Sequence, residues 1–210
     1  MRVVSWFPPL YDDRAEGGRA LAAAVAALAL EDPVVVGVAR GGVAVAVEVA
    51  RALDAPLTAV DVERVVVRGL RVGAATAGGP AYVPDGERVP ESELRAAIER
   101  ARRAAAILDA RLVHDAPGLA ARTAVVVDDG VVTGLTLAAA CRWARSEHVA
   151  RLAAATPVGH AAGLGRVGQE ADDVVCPSPL EELAVVGQAY ESFEPLEEWY
   201  VAGLLAPRPR

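Results

Sequence analysis

Val125-Val126-Val127-Asp128-Asp129-Gly130-Val131-Val132-Thr133-Gly134-Leu135-Thr136 is the stretch on which the reading of this chain turns. Three valines close an apolar run, two acids follow, and a turn rich in Gly and Thr leads into residues 135–146, which read as a helix. Such a strand-to-helix turn presents backbone N–H groups and hydroxyls at a helix N-terminus, where free donors and the helix dipole favour an anion. The two carboxylates are poorly suited to hold a phosphate themselves. They suit sugar hydroxyls, or a divalent ion. A phosphate cradle beside an acid pair points to a ribose phosphate.

Outward from this stretch, Val-rich runs alternate with Ala-rich helical ones, the pattern of an α/β fold with a mostly parallel sheet. Residues 14–30 read as a first helix, entered from Asp12-Asp13 as capping candidates. Residues 33–38 read as a buried strand, Ala39-Arg40-Gly41-Gly42 as a tight loop, 43–53 as a helix and 57–62 as a second strand. Between 63 and 86 the glycines Gly69, Gly73, Gly78, Gly79 and Gly86 break up short apolar pieces, which reads as a mobile hairpin or flap. Pro90 opens a long helix with Leu94, Ile98, Ala101, Ala105, Leu108 and Leu112 on one stripe and arginines off it. Strands follow at 124–127, 149–156 and 173–176. The tail, 177–200, reads as irregular. No linker divides the chain, so a single domain is expected, with a core over about 14–176.

The 125–136 stretch closely resembles the PRPP-binding motif of the type I phosphoribosyltransferases, where PRPP is 5-phosphoribosyl 1-pyrophosphate. The resemblance covers roughly residues 13–193 and implies a three-layer α/β fold with a small hood made from the N-terminal, flap (64–86) and C-terminal segments. It implies transfer of 5-phosphoribosyl from PRPP, carried with Mg²⁺, to a small-molecule acceptor, with release of pyrophosphate. Carried onto this chain, Asp128 and Asp129 would hold the ribose hydroxyls. Gly130, Val131, Val132, Thr133, Gly134, Leu135 and Thr136 would hold the 5-phosphate. Arg40, Gly41 and Gly42 would form the pyrophosphate loop and Arg64 would add a cation, with Arg68 and Arg71 as replacements for missing contacts. Tyr190 and Phe193 are candidates to stack on the acceptor. Hypoxanthine-guanine members place an aspartate where Val132 stands, so an acceptor of that kind is disfavoured here. A PRPP-binding regulator without catalysis is the alternative, and homodimer formation is left open.

Composition narrows the field. A hydrophobic fraction of 53% excludes a disordered chain, and a net charge of −7 argues against a nucleic-acid surface, which needs clustered positive charge. All 21 basic residues are arginine, which excludes any mechanism that needs a lysine. No apolar run reaches membrane-spanning length, and Asp12, Asp13 and Glu16 give residues 20–30 the wrong charge for a secretory signal, so a cytoplasmic protein is expected. Cys141 and Cys176 form no metal-ligand spacing and read as small buried hydrophobes. No protein-held metal site is expected. Gly163-Leu164-Gly165-Arg166-Val167-Gly168 spells a dinucleotide fingerprint without its strand–turn–helix context and is set aside. His160, Asp61 and Glu63 are minor candidates for acid–base work. His114 and His148 read as loop and helix-end residues.

Overall fold

A computed structural model describes residues 8–86, 88–113 and 116–206; His114 lies outside the described residues. The chain runs α1 (Arg14–Ala26), β1 (Pro33–Ala39), α2 (Gly41–Leu53), β2 (Leu57–Asp61), β3 (Glu63–Val67), β4 (Leu70–Ala75), α3 (Glu91–Leu112), β5 (Thr123–Val127), α4 (Leu135–Ser146), β6 (Arg151–Ala155), β7 (Val158–His160), α5 (Ala161–Val167), β8 (Asp173–Val175), β9 (Ser178–Leu180) and α6 (Glu198–Leu205). Asp13 is the cap of α1, its carboxylate accepting from Glu16 N at 2.8 Å. That helix stops at Ala26, short of residue 30, and Ala29 takes left-handed backbone (φ 48°) that a helix cannot contain.

Five parallel strands form the central sheet in the order β2-β1-β5-β6-β8. Successive side chains of a strand face opposite sides, so an unbroken Val run feeds two cores at once. Val35, Val125 and Val127 pack under Leu21 and Val25 of α1 and Val45 and Val49 of α2. Val34, Val36 and Val126 pack on the other side under Leu137, Ala140 and Cys141 of α4. The result is three layers, helix–sheet–helix. Each fully buried valine contributes about 1.5–3 kcal/mol relative to exposure, which makes this sheet the main stabilising unit.

Two departures from the sequence reading stand out. Residues 63–75 form an antiparallel hairpin with Arg68 (φ 52°) and Gly69 (φ 80°) at its turn, and the hairpin has a core of its own: Val65, Val67, Val72 and Ala75 are buried against Ala97 and Ala101 of α3. Gly69 and Gly73, read in sequence as marks of a mobile flap, instead sit in a packed hairpin. The tail is also ordered into elements. β9 pairs with β7, a 3₁₀ turn covers Val186–Ala189, and α6 lays Val201, Leu204 and Leu205 beside Ala59 and Leu112, covering the edge strand β2. These pieces are too short to show periodicity in sequence.

Helix α2 carries the chain from β1 to β2 on one side, and α4 carries it from β5 to β6 on the other. The carboxyl ends of β1 and β5 therefore lie side by side at the point where the connections diverge, the place where ligands bind in open α/β sheets.

Candidate active site

The acid pair sits at the end of β5, and its two members are held differently. Asp128 accepts only from the backbone N of Asp129, at 2.9 Å (Oδ1), among the described residues. Asp129 Oδ2 accepts from Arg14 Nε at 2.8 Å. Arg14 in turn lies 3.7 Å above the Phe193 ring and donates to Glu194 O at 3.0 Å. Burial, followed by the charge of Asp129, pushes the Asp128 carboxyl well above the usual carboxylate range. Burial also raises Asp129, while Arg14 opposes the shift. One acid is thus neutralised by a built-in cation and the other lacks one.

Tyr190 stands behind this pair. Its ring is 4% exposed, 5.1 Å from Phe193 and 5.7 Å from Tyr11, and its hydroxyl donates to Asp129 O at 2.6 Å. It is absent from the cleft wall in this structure, where its hydroxyl instead ties down the acid turn. Phe193 is likewise engaged with Arg14 and Tyr190.

The turn after the acids is pinned on both sides. Val131 N donates to Val158 O at 3.0 Å, and His160 N donates to Val131 O at 2.7 Å. Gly134, at φ 77°, opens α4, and a Cβ there would fall 2.4 Å from Gly163 O. The Leu135 side chain turns into the core with Tyr82 and Ala139, leaving its backbone amide as its contribution. The first-turn N–H groups of α4 have no acceptor within the helix. Thr136 Oγ1 accepts from Arg71 Nη2 at 2.7 Å.

The loop after β1 meets this turn directly. A Cβ at Gly41 would overlap Asp129 Oδ2, and one at Gly42 would fall 2.5 Å from Val127 O. These glycines are needed for the two loops to touch, a packing reason in addition to the anion approach read from sequence. Arg40 occupies the N-cap position of α2, exposed and making no capping bond. It lies off the cleft wall, while Gly41 is on it. Of the hairpin arginines, Arg64 and Arg71 line the cleft, whereas Arg68 is paired with Glu93 at 2.5 Å and turned away.

One cleft of about 540 Å³ gathers these parts: Gly41, Arg64, Arg71, the 128–134 turn with Thr136, and a facing wall of Ala184, Val185 and Val186. Val132 lines it too. His160 does not: its Nδ1 accepts from Ala162 N at 3.2 Å and caps α5. Asp61 is buried beside the cleft, pushed up to about 7 chiefly by burial and then by Glu63 and Asp109. The Gly163–Gly168 fingerprint lies in and at the end of α5, and Gly163 serves close packing on Val132 O. Among the described residues, no group of three or more His, Cys, Asp or Glu side chains is placed to hold a metal ion.

A model of the phosphoribosyl transferase domain matches residues 11–192. The chain belongs to this phosphoribosyl transferase family. A Mycobacterium tuberculosis (strain H37Rv) protein provisionally named a phosphoribosyl transferase is 35% identical over 208 residues, covering 88% of this chain and 44% of that protein. The chain thus spans less than half the length of this curated relative. The TT1426 protein of Thermus thermophilus is 34% identical and superposes with a TM-score of 0.81 over 93% of this chain and 97% of its own. A purine phosphoribosyltransferase of Pyrococcus horikoshii shares the fold at a TM-score of 0.50 and 21% identity, over 88% of this chain and 92% of its own.

Within this phosphoribosyl transferase domain, the resemblance read from sequence takes in Asp13-Arg14 and residues 186–190 but gives no role to Arg14 or Val186. The bond from Arg14 to Asp129 and the cleft wall of Ala184, Val185 and Val186 come from the fold, which brings distant segments together.

Proposed function

We propose that the chain transfers the 5-phosphoribosyl group of PRPP to a small acceptor, a nucleobase or another metabolite, and releases pyrophosphate. One observation carries this reading. The acid pair, the free amides opening α4 and the arginines of the β3–β4 hairpin converge on a single cleft at the switch point of the sheet. In this account the chain works as one domain in the cytoplasm, with no membrane or nucleic-acid partner; no helix among the described residues is long and apolar enough to cross a membrane.

The turn from Gly130 to Thr136 would hold the 5-phosphate on backbone amides and hydroxyls. Asp128, lacking a cation of its own, would accept from the ribose hydroxyls, with Asp129 fixed beside it by Arg14. The pyrophosphate would lie toward Gly41 and Arg64, with Arg40 above the loop as a further cation. As the bond from the anomeric carbon to pyrophosphate breaks, the electron pair leaves with pyrophosphate and positive charge builds on the ribose. The oxygens of the acid pair then face the cation, and the arginines and amides supply positive potential to the leaving group. Magnesium would enter as part of the substrate: Mg²⁺ typically binds through one or two carboxylates plus phosphate oxygens, and the acid pair in the cleft could supply the carboxylates. The wall of Ala184, Val185 and Val186 would cover the acceptor and keep water from the reacting carbon.

A second reading has its own observation. Val132 in the wall cannot move a proton, and beyond the acid pair no other acid or base among the described residues lines the cleft, which suits a PRPP-binding regulator that performs no transfer. Incubation with PRPP and Mg²⁺ over a panel of acceptors separates the two. Acceptor-dependent pyrophosphate release supports transfer. Tight PRPP binding with no release across the panel supports the regulator.

A further inference from the structure

The β3–β4 hairpin carries more than one cation, and the structure separates their tasks. In the pairing of the two strands Val66 faces Arg71 and Arg64 faces Ala74, so period-2 alternation along β3 puts Arg64 and Arg71 on one face of the hairpin, opposite the Val65–Val67 core. Both line the cleft, and Arg68 is spent on Glu93. Arg71 lies deeper than Arg64. Its Nη2 donates to Thr136 Oγ1, its Nε is buried without a partner, and it belongs to no ion pair among the described residues. Burial, then repulsion from Arg64, lowers its pKa, while Asp128 partly offsets this. A half-buried guanidinium with unused donors is costly unless an anion completes it.

Its position names the anion. Thr136 is in the first turn of α4, at the far end of the acid turn from Gly41. An anion there would meet Arg71, the Thr136 hydroxyl and the free α4 amides together. We infer that Arg71 is a ligand of the substrate's 5-phosphate and makes the cleft select a phosphorylated ribose. The inference rests on the functional reading above and deepens it: one hairpin grips both ends of PRPP, Arg71 at the 5-phosphate and Arg64 at the pyrophosphate.

Calorimetry on the full chain tests this with two separate probes, ribose 5-phosphate and pyrophosphate, on the wild type, Arg71→Gln and Arg71→Lys. Loss of a charge-assisted hydrogen bond predicts that Arg71→Gln weakens ribose 5-phosphate about ten- to a hundredfold while pyrophosphate stays within about twofold. Arg71→Lys recovers part of the loss. Arg71→Met, which keeps the buried stem and removes the charge, is read with the same two probes and stands in should Arg71→Gln fail to fold. Selective weakening of pyrophosphate would return Arg71 to the leaving group and overturn the inference. Equal weakening of both probes would make Arg71 structural and overturn it as well. A wild type that binds neither probe would remove the functional reading itself, a failure visible before any variant is compared.

Discussion

Arg14 lies 115 positions before Asp129, yet their 2.8 Å contact decides the state of the acid turn. Both side chains are nearly buried, at 11% and 13% exposure, so removing the cation leaves an unpaired carboxylate in a poor solvent. Breaking a buried pair of this kind costs about 3–5 kcal/mol. Arg14→Gln should therefore lower unfolding free energy by roughly that amount at pH 8, and by less at pH 5, where the lone acid can take a proton. Denaturant unfolding at the two pH values is the check, and an equal loss at both would contradict the electrostatic account. Asp61 gives the opposite case. Its folded carboxyl sits near 7 against 3.8 when unfolded, so the stability it contributes is present below about pH 4 and is lost as pH rises through 7. Asp61→Asn should raise the thermal midpoint at pH 8 and leave it nearly unchanged at pH 4. A gain of the same size at both would mean that packing, and not charge, dominates the site. The acid pair itself was legible in sequence because its members are adjacent. The role of Arg14, the buried setting of Tyr190 and the Asp61 Oδ2, buried with no hydrogen-bond partner among the described residues, were not, since each depends on contacts across the fold.

At the scale of elements, strands were readable where both faces are buried, because apolar runs such as Val34–Val36 and Val125–Val127 have few other stable settings. The hairpin was harder. Its glycines, Gly69 and Gly73, suggested a mobile flap, but Gly69 makes the tight turn and a Cβ at Gly73 would fall 2.3 Å from Tyr82 O. They allow close packing and do not loosen it. With Val65, Val67 and Val72 buried against α3, the amides of 63–75 should exchange slowly in the ligand-free protein. Hydrogen exchange that is fast across this segment, and slowed only by PRPP with Mg²⁺, would restore the flap and contradict the packed hairpin.

Over the whole molecule, a chain of net charge −7 with no lysine gathers arginines at one cleft, where the planar guanidinium suits phosphate oxygens in fixed geometry. The fold brings the β1 loop, the β5 turn, the hairpin and the C-terminal segment there although they are far apart in sequence. The first two follow core strands and are placed by their motifs; the hairpin arginines and the C-terminal segment are placed there only by the resemblance, as flap and hood. The central claim is that PRPP binds in this cleft through Asp128 and the turn beside it. Asp128→Asn is the cleanest probe, because it leaves the Arg14–Asp129 pair intact and removes a charge that burial already disfavours. Titration calorimetry with PRPP and Mg²⁺ should give saturable binding to the wild type. In an Asp128→Asn protein that still unfolds cooperatively, affinity should fall at least about tenfold; unchanged affinity in that folded variant would contradict the account.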